Sequence, residues 1–114
     1  MAQMSESTEP KTSFLSYSRW TLRRGADLGK AVEVFRDSVR PAYMQLTGCL
    51  EVTLLDLVDS DSYLAVTAWD TRDDYDAWVR QADDWREANA DAFKQWQEVM
   101  EFEEDFQASI LYSG

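Results

Sequence analysis

Trp69-Asp70-Thr71-Arg72-Asp73-Asp74-Tyr75-Asp76-Ala77-Trp78 joins an apolar run to an amphipathic one across a capped turn. Residues 63–69 are short and almost wholly apolar, which predicts a central strand covered on both faces. Thr71 is a good N-cap for the amphipathic run, and Asp74, three residues later, can reach back to complete a capping box. Asp73 and Asp74 also put carboxylates at the positive end of the helix dipole. Tyr75, Trp78, Val79 and Ala82 then recur at helical spacing on one face. A strand therefore ends at Trp69 and a helix starts near Arg72. Trp69 stands at the edge of the space between them.

The flanking sequence supplies three more strands and a second helical region. Residues 14–22 read as a first strand, with Phe14, Trp20 and Leu22 on one face and Leu15 and Tyr17 on the other. After the Arg23-Arg24-Gly25 turn, a helix is expected over residues 27–43, started by Asp27 and buried along Leu28, Ala31, Val32, Phe35 and Val39. Gly48 opens a second strand over residues 49–58, with Leu50, Val52 and Leu54 on one side and Leu55 and Leu57 on the other. Asp59-Ser60-Asp61-Ser62 has the length of a hairpin turn into the third strand. Helical pattern then covers residues 72–99, with a break expected near Asp83-Asp84. Trp85, Ala88, Ala92, Phe93 and Trp96 form the stripe of its second half. A final strand is expected over residues 106–112.

The order β-α-β-β-α-β predicts an α+β, ferredoxin-like fold whose four-stranded antiparallel sheet carries its helices on one face. This order also sets the domain boundaries. Residues 1–13, polar and nearly free of apolar side chains, are expected to be a disordered N-terminal tail, and residues 14–114 form one domain. The strands carry apolar residues on both sides, so the uncovered face is expected to meet a second copy in a homodimer.

Composition narrows the chemistry. The 114 residues carry a net charge of −11, which argues against nucleic acid, whose phosphates need a basic surface. The charge is uneven: residues 11–40 hold seven basic side chains against Asp27, Glu33 and Asp37, and the chain beyond Pro41 is strongly acidic. No run is long enough to span a membrane, the N-terminus lacks the apolar core of a signal peptide, and the single cysteine, Cys49, has no internal partner. A cytoplasmic location is the expectation. Histidine is absent altogether, which removes Ser-His-Asp and Cys-His catalysis, His-ligated zinc and a histidine base. No calcium loop or Gly-rich phosphate loop occurs. No metal site is expected.

Three blocks resemble the antibiotic biosynthesis monooxygenase family, a group of dimeric α/β-barrel proteins that also includes haem-degrading monooxygenases. The first is Ser18-Arg19-Trp20-Thr21-Leu22-Arg23-Arg24-Gly25 with Leu28 and Phe35; the second is Arg40-Pro41 through Thr47-Gly48-Cys49-Leu50. The third is Trp69-Asp70-Thr71 with Tyr75 and Trp78. Together they cover most of the domain, and the resemblance implies a ferredoxin-like protomer that dimerises into an α/β barrel.

The haem-degrading branch uses a strand-one Asn, the Trp of the strand-end turn and a helical His. Position for position these fall on Ser18, Trp69 and, with one residue inserted, Asn89, so only the Trp is retained. The cofactor-free branch oxygenates electron-rich polycyclic phenols such as anthrones, and the resemblance to it implies no cofactor. Its substrates here would be a small aromatic, polyketide-like or quinone-forming molecule and O₂. Such chemistry needs a dry aromatic pocket and donors that hold an enolate. Trp69 and Asn89 are the candidate catalytic donors. Ser18, Arg19, Tyr75, Trp78 and Trp85 are the candidate substrate-binding residues, with Arg19 balancing the enolate charge if its side of the strand faces the pocket. Strand parity leaves open which face that is. Each candidate also has a plainer reading: the tryptophans as core, Asn89 as a solvent-facing helix residue, Ser18 as an ordinary strand residue. The alternatives at the level of function are a non-catalytic small-molecule-binding dimer of the same fold and a haem-degrading relative.

Overall fold

The computed structural model describes residues 14–111. The expected disordered tail, residues 1–13, and Tyr112 of the expected final strand lie outside the described residues. β1 (Phe14–Leu22) leads to α1 (Leu28–Val34), a π-helical turn (Phe35–Val39) and α2 (Arg40–Met44). β2 (Cys49–Asp56) and β3 (Ser62–Trp69) form the hairpin, followed by α3 (Arg72–Ala88), α4 (Ala90–Val99) and β4 (Met100–Ser109). The strands lie in the order β2-β3-β1-β4, every neighbouring pair antiparallel. This is the ferredoxin-like sheet the element order predicts, with the apolar β3 at an inner position.

The capped junction forms as read. The Thr71 hydroxyl accepts from the Asp74 backbone N–H at 3.1 Å, and it donates to the Asp74 carboxylate at 3.0 Å. Asp74 thus reaches back to the side chain of the cap rather than to its backbone. The Asp70 N–H donates to the Gly48 carbonyl at 2.8 Å, which ties the junction to the start of β2. Gly48 has φ +79, and a Cβ there would run into the Asp74 carboxylate. A residue with a side chain fits neither the left-handed backbone nor the space.

Four details depart from the sequence reading. The first helical region is not one regular helix: Pro41 lacks the N–H that would bond back one turn, and its ring crowds the carbonyl four residues before it. The π-helical turn ahead of it widens the backbone there. The buried face becomes Ala31, Val34, Phe35, Val39 and Ala42, while Leu28 and Val32 are 38% and 46% exposed. Second, the break in the long helix falls at Asn89 (φ −115, ψ 31), not at Asp83-Asp84. Two acids on a solvated helix face do not interrupt it, whereas the Asn89 side-chain N–H donates to the Trp85 carbonyl four residues back. Third, β2 is irregular between Cys49 and Glu51, so Cys49 is buried and Leu50 is 41% exposed. Fourth, β4 begins at Met100 rather than at residue 106. Pairing with β1 carries Glu101, Glu103, Glu104 and Asp105 into a strand that their intrinsic preference opposes.

The sheet has two different faces. On the inner face Phe14, Val52, Trp69 and Met100 pack with Phe35, Val39, Trp96 and Val99 into the core. The outer face carries Leu15, Tyr17 and Val66 with Phe106, and Tyr17 stacks on Phe106 at 4.9 Å. Arg19 and Glu104, cross-strand partners on that same outer face, form an ion pair at 3.4 Å. Among the described residues no helix is long and apolar enough to cross a membrane.

Because Gly48 meets both a left-handed backbone and the Asp74 carboxylate, Gly48→Ala is expected to lower stability by about 1–3 kcal/mol, read from urea unfolding. An unchanged midpoint would mean that the turn is not fixed as described.

Candidate functional site

Strand register builds the floor of a cavity. On the inner face, Thr67 of β3, Ser16 of β1 and Gln107 of β4 lie in one cross-strand row. Ala65, Ser18 and Asp105 form the next row, and Tyr63, Trp20 and Phe102 the third. The register shift beyond Arg19 keeps Phe102 on the same face as Asp105 although they are three residues apart. Above this floor stand Tyr75, Trp78 and Arg86 from α3, Phe93 and Gln97 from α4, and Tyr43 from α2. Floor and roof enclose about 340 Å³, at the lower end of the roughly 300–1,000 Å³ typical of small-molecule pockets.

The floor is polar and its donors are oriented. The Trp69 indole N–H donates to the Ser16 hydroxyl oxygen at 2.9 Å, and the Trp20 indole N–H donates to that of Ser18 at 2.7 Å. Each serine accepts an indole proton and keeps its own hydroxyl proton to give. Accepting one hydrogen bond strengthens the next one donated, so each serine is a strengthened donor. They stand two residues apart on one strand, about 6.7 Å.

The roof is aromatic. Tyr43 packs against Trp85 at 4.7 Å and Trp78 at 5.9 Å, and Trp85 against Phe93 at 5.0 Å. The indole N–H groups of Trp78 and Trp85 are buried with no hydrogen-bond partner among the described residues. Leaving such a donor unpaired costs about 1–3 kcal/mol.

Two charged residues line the cavity, one from each side: Arg86 from the roof and Asp105 from the floor. The Arg86 guanidinium lies over the Trp78 ring at 5.8 Å and 3.5 Å from Asp83. Asp105 is exposed along one side, and the partial desolvation of its carboxyl raises it from the ordinary value, with Arg86 pulling it back. Burial also raises the phenols of Tyr43 and Tyr75, and the charge of Asp105 adds to both shifts. Both phenols are therefore neutral donors near pH 7.

The candidates named from sequence separate into two groups. Ser18, Tyr75 and Trp78 line the cavity together. Trp69 is fully buried beneath the floor and reaches the cavity only through Ser16. Trp85 backs the roof. Asn89 donates its side-chain N–H to the Trp85 carbonyl at 2.9 Å, at the break between α3 and α4, and does not line the cavity. Arg19 pairs with Glu104 on the outer face, so it cannot balance a charge inside; Arg86 stands where that role falls. Ser16, Thr67, Arg86, Asp105 and Gln107 were not singled out from sequence. The signal for Ser16 and Ser18 was two hydroxyls at alternate positions on the strand face that also carries Phe14, Trp20 and Leu22. Asp105 was hidden in an acidic run.

Haem does not fit this lining. It holds no His, Cys or Met, and a tyrosinate ligand is opposed by the burial that keeps Tyr43 and Tyr75 protonated. Cys49 is buried in the core with its thiol pushed up to about 11 by burial, which makes it a poor ligand and a poor nucleophile. Among the described residues no cluster of three His, Cys, Asp or Glu side chains is placed to hold a metal ion.

SnoaB, a cofactor-independent oxygenase from Streptomyces nogalater, superposes with a TM-score of 0.65 at 16% identity, over 90% of this chain and 96% of that one. A candidate antibiotic biosynthesis monooxygenase from Bordetella bronchiseptica gives 0.62 at 21% identity, over 87% and 98%. A nipsnap family protein of unknown function from Agrobacterium tumefaciens gives 0.64 at 14% identity, over 94% and 96%. At these identities the likeness establishes the fold alone. No curated protein matches the sequence. The family profile described as antibiotic biosynthesis monooxygenase matches residues 25–108. This chain therefore belongs to the antibiotic biosynthesis monooxygenase family.

Proposed function

We propose that this protein is a cofactor-independent monooxygenase acting on a small, oxygen-bearing aromatic molecule such as an anthrone or hydroquinone. The observation that carries the reading is a cavity with an aromatic roof and a floor that carries two indole-bonded hydroxyls, with one cation in its wall. A planar ring system stacks under Tyr75, Trp78 and Phe93, and its oxygens meet Ser16, Ser18 and Arg86. Removing one proton gives an enolate or phenolate, whose own electrons reduce O₂. The protein's part is to hold that anion against fixed donors. The likeness to a cofactor-independent oxygenase supports the reaction class.

Asn89, expected to be a catalytic donor, is better read as the residue that ends α3. Trp69 becomes a positioning residue that orients Ser16. The homodimer expected from sequence is retained as part of the reading: a second copy of the outer sheet face would cover Leu15, Tyr17, Val66 and Phe106. A monomer mass by light scattering at micromolar concentration would remove that part.

Oxygen uptake with anthrone tests the reading. Arg86→Met is expected to lower kcat/KM by about 10²–10³-fold, the usual loss when one donor to a developing oxyanion is removed. Trp69→Phe keeps a ring but deletes the donor to Ser16, so it should lower kcat while leaving KM for the ring system nearly unchanged. If the protein consumes no oxygen faster than buffer with any phenol or anthrone, the non-catalytic binding reading replaces this one.

A further inference from the structure

We propose that Asp105 is the general base of the cavity: its carboxylate takes the acidic proton of the bound phenol or anthrone while Arg86, on the opposite wall, meets the oxygen that gains the charge. The inference rests on the oxygenase reading and names the group that starts its chemistry.

Elimination and geometry lead to the same residue. Asp105 is the one carboxylate in the lining, and the chain has no histidine. The phenols of Tyr43 and Tyr75 are raised by burial, and the Cys49 thiol is packed in the core, so none of these is ionised near neutral pH. Register sets Asp105 directly across from Ser18, on the same face, with Cβ atoms of such a pair about 5 Å apart. A substrate oxygen held by the Ser18 hydroxyl therefore lies beside the base. The other acids of β4 point elsewhere: Glu104 is on the outer face with Arg19, and Glu103 is the extra residue at the register shift.

The surroundings tune the carboxylate for proton transfer. Arg86 and Tyr75 from α3 and Tyr43 from α2 interact with it electrostatically. Ser18 of β1 and Gln97 of α4 add neutral polar neighbours in the lining. Partial desolvation raises its proton affinity, and Arg86 favours the charged form.

The steps balance. A C–H or O–H bond of the substrate breaks, its electron pair remains as the enolate, and the proton passes to an Asp105 carboxylate oxygen. The enolate carbon bonds to O₂, and the peroxide anion takes the proton back from Asp105. The ionised carboxylate then removes the second hydrogen from that carbon. The O–O bond breaks, the carbonyl forms, and the departing hydroxide leaves with that proton as water. One methylene and one O₂ become one carbonyl and one water.

The test separates proton removal from oxygenation. Anthrone is held with the protein in deuterated buffer without oxygen, and methylene exchange is followed by NMR. Wild type should accelerate exchange, with a rate that rises with pH through a pKa above the ordinary carboxylate range. Asp105→Asn should lose that pH limb and slow exchange on the order of 10²–10⁴-fold. Asp105→Glu should recover part of the rate. Glu104→Gln removes a neighbouring charge outside the cavity and should exchange like wild type. The raised carboxyl means that ionised Asp105 opposes folding once pH exceeds its pKa, a burden absent at low pH. Asp105→Asn should therefore melt no lower than wild type at pH 7. Exchange in Asp105→Asn as fast as in wild type, or no acceleration by wild type, overturns the proposal. Fast exchange without oxygen uptake in air would keep the base and remove the oxygenase reading.

Discussion

The fully buried ring of Trp69 and its N–H bond to Ser16 hold the rest of the structure in place. An indole of this size buries about 150–250 Å², a gross gain of about 4–6 kcal/mol. Its ring meets Tyr75 and Trp78, both at 5.9 Å, so the first turns of α3 are set against the end of β3. The bond to Ser16 crosses to β1, and the Asp70 bond to Gly48 crosses to β2. The Trp69 ring and the Asp70 backbone thus tie the start of α3 to three strands of the sheet.

Polar and apolar demands are separated within the cavity. The hydroxyls sit on the sheet, where alternation places Ser16 and Ser18 on one face and backbone pairing holds them rigid. The rings sit on helices, whose spacing lets Tyr75 meet Trp78 and Trp78 meet Trp85, with Tyr43 packed against Trp78 and Trp85. Arg86 and Asp105 bring opposite charges from opposite walls. Under the proposed function, a site built this way would bind a flat ring by its faces and its oxygens by their positions.

Fold and site were legible to different depths. The strand–helix junction, β1 and the element order derive from alternation, capping and helical spacing, all of which are local. The break at Asn89 and the early start of β4 are tertiary in origin. The first depends on one side chain turning back to its own helix, and the second on β1 offering a partner to an acidic run. At the site, Tyr75 and Trp78 were visible because they continue the helical face that Thr71 begins. Trp69 was placed one layer too far out, since periodicity locates a residue at an edge but not its depth. Arg19 and Arg86 show the limit most clearly. Arg19 lies in a strand whose inner side is set by three-dimensional closure, and Arg86 on a helix rich in charges where nothing local marks it.

Binding of an oxygen-bearing aromatic ring between the tryptophan-lined roof and the serine floor is decided by crystallising the protein with anthrone without oxygen. The ring system is expected beneath Trp78, with its oxygen within hydrogen-bond distance of Ser16 or Ser18 and of Arg86. Anthrone seated on the outer face of the sheet, against Tyr17 and Phe106, with the inner cavity collapsed, would contradict it.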